Sequence, residues 1–184
     1  MLYRLDVDAF RAVHIGLHEA WLDPIFWALT WIGDGWAQTI LIFAGLLTVA
    51  GRKMFWPLAC ALVFGGLLGA QGLKKLVPRD RPSNLPWAHP QEPLLLGSFP
   101  SGHTTASFAL AVMLILLTRG TRLAWLGWTA LLVAGLVGVS RVYRGVHWPS
   151  DVLGGALCGT FFACLIYLVF DRFGWLQNLA PPAD

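Results

Sequence analysis

Charge is scarce in this sequence of 184 residues, since acidic and basic side chains together make up only 12% of it. Soluble proteins carry about 25% charged residues, so the composition speaks against a soluble enzyme. The 57% of apolar residues excludes a disordered chain. A net charge of +3 is too small to indicate a nucleic-acid-binding protein. Only three cysteines are present, which excludes a disulfide scaffold, and each lies in an apolar run: Cys60, Cys158 and Cys164.

The sequence does contain long runs without Asp, Glu, Lys or Arg. A membrane-spanning helix needs about 20 residues, with a range of roughly 17 to 25, and five runs are long enough. A sixth and shorter run carries Asp23, so it is either a short span or a helix lying at the membrane interface. The five long runs are residues 35–51, 54–73, 93–118, 123–140 and 152–170, the third with its helix starting near Ser101, and the sixth run is 21–33.

These runs predict an all-α fold. Residues 1–184 are expected to form a single domain, a polytopic membrane bundle of six transmembrane helices of which the first is short. Residues 1–20 combine charged and apolar side chains at helical spacing, which is typical of an amphipathic helix at the membrane surface. An even number of spans places both termini on the same side. The sequence does not indicate an oligomeric state.

The basic residues bear on orientation, because Lys and Arg are enriched in cytoplasmic loops. In the six-span layout, seven basic residues lie on the side of the termini and six on the other side, so the count alone gives no direction. The six lie among His, Ser, Asp, Gly and Pro, whereas the turns on the terminal side are simple, such as GRK and TRGTR. If the six serve chemistry, the others follow the positive-inside rule. We therefore expect cytoplasmic termini and an active face on the extracytoplasmic side.

Polar residues suited to phosphate chemistry are concentrated in three segments at the ends of apolar runs. The first, residues 74–82, combines four cations with one acid. A simpler interpretation is a helix end whose long side chains reach the lipid headgroups. The charged residues of this segment are Lys74, Lys75, Arg79, Asp80 and Arg81.

The second segment is Pro100-Ser101-Gly102-His103, directly before an apolar run. Ser101 is a plausible helix N-cap. The free backbone N–H groups of a helix start attract anions, and Gly102 has no side chain that would block the approach of a phosphate. His103 is placed to donate a proton to such an anion, although a single histidine at a helix start is more often structural.

The third segment, residues 140–151, contains His147 and Asp151 at a separation of four residues. On one turn of helix the carboxylate reaches one imidazole nitrogen. This contact fixes the orientation of the ring and leaves the other nitrogen available as a base or nucleophile. An isolated His/Asp pair is weak evidence, but three such segments on one face strengthen each other.

Together the three segments resemble the three-part signature of the type 2 phosphatidic acid phosphatase superfamily. The matching residues are Lys74 with Arg81-Pro82, then Pro100-Ser101-Gly102-His103, then Ser140-Arg141 with His147 and Asp151. That superfamily includes membrane lipid phosphatases, glucose-6-phosphatase and vanadium-dependent haloperoxidases. All motifs lie within residues 74–151, and the six-span layout resembles the bacterial membrane members, whose site faces the outer side of the membrane.

The resemblance implies a lipid phosphatase that uses neither a metal nor another cofactor. His147 would attack phosphorus to form a phosphohistidine, and Asp151 would orient it. His103 would protonate the leaving oxygen and later activate water. The phosphoryl oxygens would be held by Lys74, Arg81, Ser101, Gly102 and Arg141, while roles for Lys75, Arg79 and Arg144 stay open.

Three other interpretations of these residues are less favoured. His103, His147 and Asp151 form a possible two-histidine, one-carboxylate metal site, but the neighbouring cations would repel a divalent ion. A haloperoxidase is disfavoured because the known ones are soluble. A non-catalytic membrane protein that binds or transports lipid phosphates would not require a nucleophile with an orienting acid.

The expected substrate is a lipid phosphate in a bacterial cytoplasmic membrane. Undecaprenyl pyrophosphate is the first candidate, followed by phosphatidylglycerol phosphate, phosphatidic acid and lipid A 1-phosphate. Leu94, Leu95, Leu96 and Phe99 are predicted either to line a lateral entrance or to pack as an ordinary loop.

Overall fold

The computed structural model describes residues 2–92 and 97–176, in which every regular element is a helix. The prediction of an all-α fold is thereby confirmed. These helical elements include a π-helical segment, Leu62–Gly69, and a short 3₁₀ turn, Pro82–Asn84. The eight α-helices are α1 Leu2–His14, α2 Asp23–Ile32, α3 Gly35–Leu46, α4 Val49–Ala61, α5 Ala70–Leu76, α6 Gly102–Thr118, α7 Ala124–Tyr143 and α8 Pro149–Arg172.

The centre of the bundle is α6, which packs against α4, the π-helical segment, α7 and α8. Two glycines of α8 allow its backbone to approach α6 closely. A Cβ atom on Gly159 would lie 2.2 Å from the carbonyl oxygen of Thr105, and one on Gly155 would lie 2.8 Å from that of Ser101. Small residues permit such close packing of membrane helices. The first turns of α6 and α8 therefore lie side by side, and this contact positions the candidate site.

Three helical stretches of the described chain are long and apolar enough to cross a membrane: Gly51–Leu76, Ala124–Tyr143 and Pro149–Arg172. Two further apolar helices, Gly35–Leu46 and Gly102–Thr118, are shorter. The protein is therefore an integral membrane protein.

The six-span count is not confirmed, because α2 is too short and lies at one end of the bundle. Its 10 residues rise about 15 Å, roughly half of the hydrocarbon thickness. Asp23, at its start, accepts a hydrogen bond of 2.9 Å from Tyr143, and Thr30, near its end, lies 3.2 Å from Ser140 (Oγ1 to Oγ). Tyr143 and Ser140 lie in adjacent turns at the end of α7. Helix α2 therefore packs beside this end of α7 and does not run the length of the bundle.

The terminal helices also differ from the prediction that both termini lie on the same side. Asp6 of α1 accepts a hydrogen bond of 2.9 Å from the backbone N–H of Ser150, in the first turn of α8. The other end of α8 lies beside the end of α6, where Arg119 donates a bond of 2.9 Å to Tyr167. Residues Leu2–His14 form α1, whereas the amphipathic helix at the membrane surface predicted for residues 1–20 stays a prediction.

Candidate active site

The three predicted segments come together at one end of the bundle. Helices α5 and α7 end there, and α6 and α8 begin there. The backbone N–H of Ser101 donates to the carbonyl oxygen of Asp151 at 3.0 Å, which joins the second segment to the third. Arg81 Nη1 lies 3.1 Å from His147 Nε2, which joins the first segment to the third. The convergence of residues distant in sequence is what a composite phosphate site requires.

His147 and Asp151 form the pair that their spacing predicts. Pro149 starts α8 directly after the loop that carries His147, so Asp151 lies in the first turn of that helix. Its Oδ2 atom is 3.3 Å from His147 Nδ1 and accepts a bond of 2.9 Å from the backbone N–H of Trp148. The hydroxyl of Ser98 donates a short hydrogen bond to the same oxygen. Both members of the pair are buried, so the carboxylate holds the ring in a fixed orientation.

The environment of His147 keeps its imidazole neutral. Burial lowers the pKa of His147 to about 4, and nearby Arg81 acts in the same direction against the raising effect of Asp151. A neutral ring that donates from Nδ1 to Asp151 leaves the lone pair on Nε2. That nitrogen faces the guanidinium of Arg81, so the available lone pair points towards the cations of the site.

Lys74 and Arg81 meet at one backbone carbonyl. Lys74 Nζ donates to the oxygen of Gly97 at 2.8 Å, and Arg81 Nη2 donates to the same oxygen at 3.2 Å. Arg81 also donates to the carbonyl of Val146 at 2.7 Å, which fixes its guanidinium beside His147. Two of the three predicted phosphate-binding cations are therefore oriented by the backbone.

Arg141, the third predicted cation, is held by a carboxylate of the protein. Its two Nη atoms each donate to one oxygen of Glu92 at 2.9 Å, and Arg144 Nε donates to Glu92 at 2.7 Å. Burial raises the pKa of Glu92, but the hydrogen bonds and charges of Arg141 and Arg144 outweigh it and hold the pKa at about 2. Arg141 Nε is buried and has no hydrogen-bond partner among the described residues. One donor of Arg141 is therefore unsatisfied among the described residues.

The second segment has the predicted helix start. Ser101 is the N-cap of α6, and its Oγ accepts from the backbone N–H of Thr104 at 3.5 Å. A Cβ atom on Gly102 would meet no other atom within 4 Å, so space lies open above the first turn. His103 is half-buried, and its Nε2 lies 3.8 Å from Oδ2 of Asp34. The charges acting on His103 include those of Arg141, Glu92 and Asp34.

A groove of about 490 Å³ lies between α3, the π-helical segment and α6. Most of its wall is apolar, and Gly102 and His103 are part of its lining. A cavity of about 600 Å³ at the opposite end of the bundle, beside Leu46 and Phe170, contains none of the predicted site residues. The side chains and glycines along the groove include Trp36, Leu62, Val63, Gly66, Leu67 and Ala106.

The predicted lateral entrance is only partly described. Leu94, Leu95 and Leu96 lie outside the described residues. The ring of Phe99 packs against α8, since a Cβ atom on Gly154 would lie 2.3 Å from its Cε2 atom. Among the described residues, no three His, Cys, Asp or Glu side chains come together in a way that could hold a metal ion.

Several residues that contact the predicted site were missed in the sequence. Glu92 could have been singled out in the sequence, since it is the only acidic residue between Asp80 and Asp151. Asp34 could also have been singled out, because it caps the helix that follows it. No sequence pattern points to Ser98. The sequence left open the roles of three further cations. Of these, Lys75 is exposed, Arg144 binds Glu92, and Arg79 contacts Asp151.

Comparison with known proteins places this site in a family. Residues 54–175 match the sequence model of the PAP2 superfamily. The chain is 27% identical over 183 residues to the bacitracin transport permease protein BcrC of Bacillus licheniformis, covering 95% of this chain and 85% of that protein. It is 29% identical over 169 residues to phosphatidylglycerophosphatase B of Bacillus subtilis, covering 86% and 80%. It is 24% identical over 185 residues to undecaprenyl-diphosphatase BcrC of Bacillus subtilis, covering 92% and 84%.

The fold is similar to that of a solved relative. The crystal structure of Aquifex aeolicus LpxE matches with a TM-score of 0.76 and 28% identity, over 88% of this chain and 94% of that chain. The family match spans more than half of the sequence and contains every motif residue from Lys74 to Asp151. The chain therefore belongs to the PAP2 superfamily and is a membrane phosphatase of that family.

Proposed function

We propose that this protein hydrolyses the phosphate or pyrophosphate of a membrane lipid through a phosphohistidine intermediate, without a metal or another cofactor and as a single domain. The observation that carries the proposal is the buried pair of His147 and Asp151. One imidazole nitrogen is engaged by the carboxylate, and the other faces Arg81 at 3.1 Å. A nucleophile with an orienting acid beside a cation suits phosphoryl transfer.

In the first step, the lone pair of His147 Nε2 forms a bond to phosphorus while the bond from phosphorus to the leaving oxygen breaks. His103 in its protonated form donates its proton to that oxygen. Lys74, Arg81 and Arg141, with the hydroxyl of Ser101 and the backbone N–H of Gly102, hold the phosphoryl oxygens as charge builds up on them. Donors fixed in this way stabilise a transition state by several kcal/mol.

In the second step, neutral His103 takes a proton from water, and the water oxygen attacks phosphorus. The bond from phosphorus to Nε2 breaks, and its electron pair returns to His147. Asp151 stabilises the positive charge that His147 carries in the intermediate. Inorganic phosphate leaves, and both histidines return to their starting states.

The groove beside His103 supports a lipid as the substrate. A phosphate bound above Gly102 would direct its leaving group towards His103, and both residues line the apolar groove. Undecaprenyl pyrophosphate is the first candidate, because undecaprenyl-diphosphatase BcrC aligns with most of the chain. Phosphatidylglycerol phosphate, phosphatidic acid and lipid A 1-phosphate are the alternatives.

Because the cations at the site are assigned to chemistry, the orientation rests on the simple turns at the opposite end of the bundle, whose cations follow the positive-inside rule if the active site lies on the extracytoplasmic side of a bacterial cytoplasmic membrane. The end of the bundle opposite the site carries cations in its simple turns, in agreement with a cytoplasmic position. In this orientation α1, with Arg4 and Arg11, lies on the same side as the site, which differs from the cytoplasmic position expected from the sequence. The cations of those turns are Arg52, Lys53, Arg119 and Arg122.

A lipid transporter without catalysis is the alternative from another class, and the name of one relative refers to transport. The two are separated by phosphate release from the four candidate lipids by purified protein in detergent. We expect release by the wild type, inhibition by vanadate and no loss of activity with a chelator. His147→Ala should abolish release, whereas His18→Ala, at a half-exposed histidine, should not. Equal release by His147→Ala and wild type would reject the catalytic assignment.

A further inference from the structure

Arg79 lies in the cation-rich first segment, yet its guanidinium faces two carboxylates rather than the other cations. Nη1 donates to Oδ1 of Asp151 at 2.7 Å and to Oγ of Ser150 at 2.6 Å. Nη2 donates a short hydrogen bond to Oδ2 of Asp6 in α1. The guanidinium also lies 5.6 Å from the ring centroid of Trp148. Arg79 is therefore fixed between the acid of the catalytic pair and the N-terminal helix.

The two oxygens of Asp151 have separate partners. Oδ2 contacts His147, Ser98 and the backbone N–H of Trp148, whereas Oδ1 accepts from Arg79. A carboxylate is planar, so a bond that fixes Oδ1 also fixes the direction of Oδ2. The bond from Arg79 therefore determines how Asp151 is aimed at the imidazole. It also draws part of the negative charge of Asp151 away from His147.

Asp6 is the matching acid on the other side of Arg79. It is buried, and its Oδ1 accepts from the backbone N–H of Ser150 at 2.9 Å. Phe10, one turn further along α1, packs against Trp148 with ring centroids 5.4 Å apart. The N-terminal helix is thus docked against the residues that flank the catalytic pair. Asp6, the only buried carboxylate of α1, contacts Arg79, the arginine that binds Asp151.

We infer that Asp6 and Arg79 are positioning residues for catalysis: Arg79 aims Asp151 at His147, and Asp6 moderates the charge of Arg79. Helix α1 thereby supplies part of the site without touching the substrate. The inference rests on the proposed function, since it assigns a role to a pair that acts through the nucleophile.

Charged groups from several helices and loops face His147. Substituting Arg79 and substituting Asp6 should change the ease of protonating its ring in opposite directions. Removing the charge of Arg79 leaves Asp151 more negative towards His147, so protonation of the ring becomes easier. Removing the charge of Asp6 leaves Arg79 unopposed, so protonation becomes harder. The groups that face His147 directly or through its partners are Lys74, Arg81, His103, Arg141 and Asp151.

The test is the pH dependence of kcat/KM for phosphate release by Arg79→Gln, Asp6→Asn and Arg79→Lys in detergent. We expect the acid limb to move up by about 0.5 pH unit in Arg79→Gln and down by a similar amount in Asp6→Asn. We expect kcat to fall about tenfold or more in Arg79→Gln with KM changed less than about twofold, because the residue acts through Asp151. Arg79→Lys should restore part of kcat. Asp8→Asn, at an exposed acid of the same helix, should match the wild type.

Thermal unfolding and gel filtration of each variant identify those that have lost the fold, and the opposite shifts are read from folded Arg79→Gln and Asp6→Asn. Arg79→Lys keeps the positive charge, so its acid limb should stay close to that of the wild type; if Arg79→Gln does not fold, the downward shift of Asp6→Asn and the partial kcat of Arg79→Lys are the test. A limb that stays in place in every folded variant, or moves in the same direction in all, overturns the inference if His147→Ala is inactive. Full activity of His147→Ala would instead overturn the proposed function.

Discussion

The two ends of the bundle use charge in different ways. At the opposite end from the site, Arg52 bonds to the carbonyl of Leu46 at 3.1 Å, and Arg119 bonds to Tyr167, both in exposed positions. At the site end, Arg141 is 1% exposed, and its partner Glu92 is shared with Arg144. Exposed cations at helix ends contribute little to stability, whereas buried charges are costly unless they are paired. Among the described residues, the comparison shows buried charges that pair with one another where the three segments meet, and exposed arginines bonded to neutral groups at the opposite end.

The largest effect expected from this comparison concerns the aspartates of α8. Asp151→Asn removes the charge that orients and stabilises His147, so we expect kcat to fall at least about a hundredfold. Asp171→Asn changes an exposed residue at the other end of the same helix and should leave kcat unchanged. Phosphate release by both purified variants, with thermal unfolding to confirm the fold, checks the contrast. Equal kcat values for Asp151→Asn and Asp171→Asn would contradict the expected difference between the two ends of α8.

A smaller effect is expected at the glycines. Gly102→Ala places a methyl group in open space above the first turn of α6, where the phosphate is proposed to bind. We expect KM to rise about tenfold because the methyl group obstructs the approach of the anion, with no loss of stability. Gly135→Ala in α7, where a Cβ also meets open space, is the matched control. Steady-state kinetics decide, and an unchanged KM in Gly102→Ala would place the phosphate elsewhere.

The smallest effect is expected for Glu92, which occupies Arg141 in the described structure. Glu92→Gln weakens the competition for that guanidinium, so we expect vanadate to inhibit at about threefold lower concentration. Glu19→Gln, at an exposed glutamate, should not change inhibition. Weaker inhibition of Glu92→Gln would mean that Glu92 prepares Arg141 for phosphate rather than competing with it.

Glu92 also predicts a pH dependence of stability. Its pKa is held at about 2, below the ordinary value of 4.5. The stabilisation is therefore complete above about pH 4.5 and is lost as the pH falls towards 2. Thermal unfolding between pH 6 and pH 3 should show a steeper loss in the wild type than in Glu92→Gln. Parallel curves would show that the pair of Glu92 and Arg141 does not contribute to that loss.

Local features of the site could be predicted from the sequence. The spacing of four between His147 and Asp151 and the cap at Ser101 depend on one turn of helix, and the structure contains both. Contacts across long separations could not be predicted. Ser150 binds Asp6 over 144 residues, and Arg141 binds Glu92 over 49 residues. These pairs depend on how the helices pack, and no local pattern encodes that packing.

The span count shows the same limit for the fold. Residues 21–33 are apolar enough to suggest a short span, but composition does not decide whether a short helix crosses the bundle. The contacts of Thr30 and Asp23 with the end of α7 hold α2 near the site. Helix α2 therefore packs beside α7 near the site, with Phe26 stacked on Tyr143. The large apolar side chains of α2 that stay exposed are Ile25, Trp27, Trp31 and Ile32.

The central claim is that His147 carries the phosphoryl group. Its most direct test is to mix purified protein with a lipid substrate labelled with ³²P in the transferred phosphate, quench it in alkali and map the labelled peptide. We predict an alkali-stable, acid-labile label on His147, present in the wild type and absent from His147→Ala. Rapid phosphate release with no label on His147 at any quench time, and with full activity of His147→Ala, would contradict the account.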